Sequence, residues 1–149
     1  MTVRRGTARD WESVEDLGLR RVASSRVRGA SDDELRSGYL RLLDVVASQS
    51  HVLLVAEEQE RAIGFLILLD TLADEVTLQP QAFIAFMAVE PEHERHGVGN
   101  ALLSSAEDEA KRRGLSYISL MVTESNGPAL RLYERAGYAT ERRLLCKAL

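Results

Sequence analysis

The chain has 149 residues, with 19 Lys and Arg against 23 Asp and Glu, for a formal net charge of −4. That length suits one domain over residues 1–149, and the lone Cys146 excludes an internal disulfide framework or a multi-cysteine zinc site. Mild acidity argues against nucleic acid as a partner, no apolar stretch is long enough to span a membrane, and no secretory h-region opens the chain. The expected location is the cytoplasm.

Thr2 to Arg5 reads as a short opening strand, and Asp10 as the N-cap of a helix with Trp11, Val14, Leu17 and Val22 on one side. Ser31 and Glu34 have capping-box spacing, and Leu35, Tyr39, Leu42, Leu43 and Val46 share a face behind them. Between these helices runs the basic connection Ser24 to Ala30. The period then changes. His51 to Ala56 and Ile63 to Leu69 are strand-like runs around the acidic turn Glu57 to Glu60. Asp70 to Gln81 reads as a loop or strand extension, and Ala82 to Val89 as a buried strand that Pro91 closes. Gly97 to Arg113 has helical spacing, basic residues in its last turn and Gly114 as a left-handed stop. Leu115 to Val122 predicts a strand. Asn126 then caps a helix that Gly137 ends, and Tyr138 to Leu149 predicts a final strand or pair of strands. The predicted order is βααβββαβαβ with room for one more C-terminal strand, an α/β domain with a mixed sheet.

Two segments carry chemistry. The first is Val89-Glu90-Pro91-Glu92-His93-Glu94-Arg95-His96-Gly97-Val98-Gly99-Asn100, where a strand ends and a helix starts on glycines. Backbone N–H groups at a helix start lack intrahelical partners and carry partial positive charge, which suits an anion such as phosphate. With 10 Gly in the chain, about 0.7 Gly-x-Gly triplets arise by chance, so this segment alone fits a packing role better. The second segment is Asn126-Gly127-Pro128-Ala129-Leu130-Arg131-Leu132-Tyr133-Glu134-Arg135-Ala136-Gly137-Tyr138.

In this order, across one strand, the two segments resemble the GNAT superfamily of N-acetyltransferases. The first is similar to the family's acyl-CoA motif, Arg/Gln-x-x-Gly-x-Gly/Ala after a strand ending in Val. The second is similar to its Asn-x-x-Ala-x-x-Leu-Tyr-Glu-x-x-Gly-Phe/Tyr pattern. The resemblance is strongest over residues 82–139. It implies the GNAT acyl-CoA N-acyltransferase fold, with the sheet splayed between its fourth and fifth strands and acetyl-CoA wedged into the gap. By the same resemblance Met87, Ala88 and Val89 line the pantetheine arm through backbone groups. Arg95, His96, Gly97, Val98, Gly99 and Asn100 cradle the pyrophosphate, and Asn126 stands across the arm. Tyr133 is the implied general acid for the departing thiolate. A phenol near pKa ~10 is a weaker acid than a thiol near ~8.5, so transfer concerted with bond breaking suits it best.

Glu94 stands where the family pattern has Arg or Gln, and Arg95 is placed to supply the missing charge and to pair with it. His93 and His96 read as solvated loop residues, and no metal is expected. Positions where relatives carry a basic glutamate hold Phe83 and Met121, so the general base is unknown, with Glu124, Glu90 and His51 as candidates. Phe83 and Met121 suggest an apolar wall beside the amine. Cys146, in a terminal strand pattern, reads as buried and inert. The implied activity is transfer of acetyl from acetyl-CoA to a primary amine of a small molecule or peptide. The alternatives are a non-catalytic acyl-CoA-binding or regulatory module and, more weakly, a Rossmann-type phosphate binder, which wants a third glycine. A homodimer stays open.

Overall fold

In the computed structural model, which describes residues 1–149, the strand-like runs become one five-stranded sheet. Its strands are β1 (Thr2–Arg5), β2 (His51–Glu58), β3 (Arg61–Leu69), β4 (Ala82–Val89) and β5 (Ile118–Leu120), in that spatial order. β1 to β4 pair antiparallel, whereas β5 joins β4 in parallel. Parallel pairing requires a crossover, which helix α3 (Val98–Arg112) supplies. Helices α1 (Trp11–Arg21) and α2 (Asp32–Ala47) connect β1 to β2, and α4 (Gly127–Arg135) follows β5.

Both faces of the sheet are covered. One core joins Leu54, Leu66, Leu68 and Ile84 to Leu102, Leu103 and Ala106 of α3. The other joins Leu53, Val55, Phe65 and Ile67 to Val14 and Leu17 of α1 and to Tyr39 and Val46 of α2. Burial on two faces is why β2 and β3 read as continuous apolar runs.

α2 begins where its capping box predicts. The Glu34 N–H donates to Ser31 Oγ at 3.2 Å, and the Ser31 N–H donates to the Glu34 carboxylate at 2.8 Å. α1 also starts as expected, but the Asp10 side chain does not cap it. That buried carboxylate instead accepts from two Arg4 nitrogens at 2.9 Å and from the Thr7 N–H at 2.7 Å. A charged fork binds a desolvated carboxylate more strongly than a neutral amide does.

β4 has the predicted bounds and a feature its sequence does not announce. Its register with β3 slips between the pairs Leu68–Ile84 and Ile67–Phe86, leaving Ala85 as an extra residue. Ala85 and Phe86 therefore both face α1 and α2, while Ile84 and Met87 face α3. A bulge bends its strand and raises the local twist. β5 pairs with β4 only at Ala82, Phe83 and Ile84, and the sheet opens from Ala85 onward. The strand expected over residues 115–122 is thus reduced to Ile118–Leu120.

The expected closing strand is absent. Residues 138–149 hold no helix, turn or strand, so the order is βααβββαβα. The Tyr138 N–H, donating to the Tyr133 carbonyl at 2.9 Å, is the last backbone donor used within the chain. An extended segment gains nothing from its pattern without a partner, and three residues of β5 offer a very short ladder. Cys146 is accordingly exposed, not buried. No helix is long and apolar enough to cross a membrane.

Candidate active site

The loop from β4 to α3 builds a cluster of open donors. Pro91–His93 make one 3-10 turn, after which Arg95 and Gly97 both take left-handed backbone angles, φ +62° and +82°. A Cβ on Gly97 would meet nothing within 4 Å, so conformation rather than space calls for glycine there. Gly99 is the opposite case. A Cβ on it would lie 3.0 Å from Leu132 Cδ2, so its bareness lets α4 press against the start of α3. The first α3 amide to find an acceptor is Ala101, donating to the Gly97 carbonyl at 3.0 Å. The N–H groups of Val98, Gly99 and Asn100 are left open at the positive end of the helix dipole.

Glu94 does not pair with Arg95. Its carboxylate meets Arg21 at the end of α1 instead, which leaves Arg95 exposed and without an ion-pair partner beside the open amides. His96 Nδ1 donates to the Glu94 carbonyl at 2.7 Å, and His93 Nε2 lies 3.2 Å from the Glu58 carboxylate.

Past the bulge, β4 has one unpaired side. The Glu90 N–H donates to the Ile63 carbonyl at 2.8 Å, and backbone direction alternates along a strand. Ala88 therefore turns its polar backbone groups to β3, while Met87 and Val89 turn theirs to the gap left by β5. α4 packs on the α3 side of the sheet, with Leu132 against the start of α3. Asn126 caps α4, its Oδ1 accepting from the Ala129 N–H at 3.3 Å. Tyr133 packs against the core that Met87, Val89 and Leu120 also border, and its hydroxyl has no hydrogen-bond partner in the chain. Burial pushes its phenol above the ordinary value, so it holds its proton at neutral pH. Tyr138 meets its ring edge-on, centroids 6.0 Å apart.

The candidate bases are scattered. Both Glu90 oxygens are taken by Arg20, at 2.7 and 3.0 Å, and that guanidinium holds the carboxyl below its usual range. His51 sits on β2, two strands from β4, with Nδ1 donating to the Gln49 carbonyl at 2.9 Å and its ring against Trp11. Glu124 is exposed after β5. Phe83 is half-buried in the α1–α2 core, whereas Met121 is 73% exposed, so the two form no continuous wall. A separate cleft of about 200 Å³ runs between α1 and β3, lined by Ser13, Asp16, Arg20, Arg61 and Glu90 among others; neither Tyr133 nor Met87 borders it.

A splayed parallel pair, an amide-rich helix start and a tyrosine helix packed against it are now in place. The sequence model of the acetyltransferase (GNAT) family matches residues 19–138. The chain belongs to the GNAT acetyltransferase family. This GNAT chain is 42% identical over 65 residues to the ribosomal protein bS18-alanine N-acetyltransferase of Escherichia coli K12, covering 42% of this chain and 44% of that one. It thus spans less than half the length of the first curated relatives it matches. An uncharacterised N-acetyltransferase of Bacillus subtilis is 32% identical over 111 residues, covering 74% of this chain and 72% of its own. A solved putative acetyl transferase from Pyrococcus furiosus superposes with a TM-score of 0.84 at 28% identity, over 99% of both chains.

Two contacts that shape the site leave no trace in sequence spacing. Arg21 reaches Glu94, and Thr123 Oγ1 donates to the Ser25 carbonyl at 3.1 Å. Together they fasten the α1–α2 connection to both banks of the gap.

Proposed function

We propose that residues 1–149 act as one acetyltransferase domain that moves acetyl from acetyl-CoA to a primary amine of a small molecule or peptide. The observation that carries this reading is the packing of Leu132 on Gly99, which brings the Tyr133 helix against the open amides of α3. One binding track results. The amides of Val98, Gly99 and Asn100, with Gly97 at the turn and Arg95 and His96 beside it, receive the pyrophosphate. The outward backbone groups of Met87 and Val89, with Ala88 between them, receive the pantetheine arm as a strand would, and Asn126 faces it across the gap.

The acetyl thioester supplies the activated acyl group. A backbone N–H near Met87 is placed to hold the developing negative charge on its oxygen. Tyr133, protonated and with a free hydroxyl, gives its proton to the leaving sulfur. Of the candidate bases, Glu90 has both its oxygens occupied by Arg20. The amine is delivered uncharged by desolvation or through water. That occupied carboxylate favours a second reading, a domain that binds acetyl-CoA without turnover.

Calorimetry with acetyl-CoA and a thiol-release assay over a broad amine panel separate the two. Expected are coenzyme binding and turnover with at least one amine. Tyr133→Phe should lower kcat about 100-fold or more while leaving coenzyme affinity within about twofold, because the hydroxyl acts only as sulfur leaves. Binding without turnover on any amine supports the second reading. Full activity in Tyr133→Phe removes the tyrosine from the mechanism.

A further inference from the structure

The loop that presents the open α3 amides is poorly suited, by its own sequence, to an anion. Glu90, Glu92 and Glu94 stand at alternate positions in it, and Glu94 directly precedes the left-handed residue Arg95. Each carboxylate is met from outside the loop. Arg20 holds both oxygens of Glu90, Arg21 holds Glu94, and Arg61 of β3 approaches Glu92 at 3.8 Å. That last pair is loose and open, with side chains 68% and 56% exposed. Arg21, at 31%, is much better covered.

Both ends of the Arg21–Glu94 pair are anchored. Arg21 closes α1, and its carbonyl accepts from the Ser24 hydroxyl at 2.8 Å, which fixes the backbone from which the guanidinium extends. The Glu94 carbonyl takes the His96 ring nitrogen at 2.7 Å. Between Glu94 and His96 lies Arg95, whose φ of +62° is costly for a residue with a Cβ and persists only where its flanks are held. With Glu94 turned to α1, the Arg95 charge stays free at the helix start. A carboxylate released there would repel phosphate instead, because charges within about 8 Å escape most screening at physiological salt.

We infer, resting on the acetyl-CoA reading above, that Arg21 is a positioning residue for the coenzyme. By holding Glu94 it masks the carboxylate closest in sequence to the open amides and steadies the turn that presents Arg95. The compensating charge for this departure from the family pattern thus comes from α1, 73 positions away in the chain. Arg21 acts through Glu94 and not by touching the coenzyme. Its effect therefore exists only while residue 94 carries a negative charge, and it ties coenzyme affinity to the seat of α1 on the sheet.

A double-mutant cycle of Arg21→Gln and Glu94→Gln, read by calorimetry with acetyl-CoA, tests this role. Expected is a Kd raised about three- to fivefold by Arg21→Gln in the parent, and by less than about twofold in the Glu94→Gln background. Arg21→Lys keeps the charge at a contact made through one nitrogen, and should stay within about twofold of the parent. Arg61→Gln removes the same charge from the looser pair and should also stay within about twofold. Equal factors in both Glu94 backgrounds would make Arg21 a general attractor of anions and overturn the masking. A loss in Arg21→Lys as large as in Arg21→Gln would overturn it too, by pointing to packing and not to charge. An unchanged Kd in Arg21→Gln overturns it while leaving the coenzyme reading intact. Absence of binding by the parent removes the coenzyme reading itself, and this role of Arg21 with it.

Discussion

Gly97 and Gly99 lie two positions apart in one motif, yet the fold asks different things of them. Gly97 needs its left-handed φ of +82° and has empty space around it. Alanine there costs about 1–2 kcal/mol of stability through backbone strain alone. Gly99 has ordinary helical geometry but touches Leu132. Alanine there gains about 1 kcal/mol in helix propensity, which offsets the strain of pushing Leu132 away. The shift moves the Tyr133 helix. Urea unfolding should therefore place Gly97→Ala well below the parent and Gly99→Ala within about 1 kcal/mol of it. Turnover should fall more in Gly99→Ala; equal stability losses in the two would contradict the division of roles. From sequence, these glycines signalled an anion site and nothing separated them, because the contact that does so lies on α4. Glu94 is a parallel case. It was legible as a departure from the family pattern, but its true partner Arg21 lies on α1, a pairing no local spacing encodes.

At the scale of elements, whatever depended on neighbours in sequence was readable. The capping box of α2 and the Asn126 cap of α4 rest on contacts within a few residues, and the bounds of β4 follow from its own apolar run and the proline that closes it. What failed depended on other elements. β5 is short because β4 bulges at Ala85, and residues 139–149 stay unpaired for want of a ladder within the chain. The α1–α2 pair shows how such a long-range constraint is made. Tyr39 is 2% exposed, its hydroxyl donates to the Val14 carbonyl at 2.8 Å, and its ring fills the space over Gly18. A methyl on Gly18 would overlap that ring. Gly18→Ala should thus cost about 2–3 kcal/mol through overpacking, against about 1 kcal/mol for the single hydrogen bond lost in Tyr39→Phe. Because α1 ends in Arg20 and Arg21, which hold Glu90 and Glu94, the shift also moves the loop that leads into the open α3 amides. Calorimetry should show the Kd of acetyl-CoA rising in Gly18→Ala; an unchanged Kd would mean that the displacement of α1 stops short of that loop.

Across the whole molecule, the layers are fastened by charge as well as by apolar burial. All four buried carboxylates meet arginines: Asp10 with Arg4, Asp70 with Arg113, Glu90 with Arg20, and Glu109 with Arg5 and Arg112. These pairs join β1 to α1, β3 to α3, α1 to the β4–α3 loop, and β1 to α3. Burial pushes the Glu109 carboxyl up, but its arginines outweigh that and hold it below the usual range. Asp10 gives the sharpest test. The Arg4 fork pulls its pKa from 3.8 down to about 2. Between those values the unfolded chain binds the proton and the folded chain does not, so stability rises with pH through this window. The contribution is fully present above pH 4, where the shift is worth about 2 kcal/mol, and falls below about 0.5 kcal/mol by pH 2. Urea unfolding should show the deficit of Asp10→Asn against the parent small at pH 2 and growing to its full size by about pH 4. Glu90 and Glu109, shifted the same way, steepen the parent's own acid loss but are common to both chains and cancel in the difference. A deficit as large at pH 2 as at pH 7 would mean that Asp10 acts through shape and neutral hydrogen bonds, not through its charge.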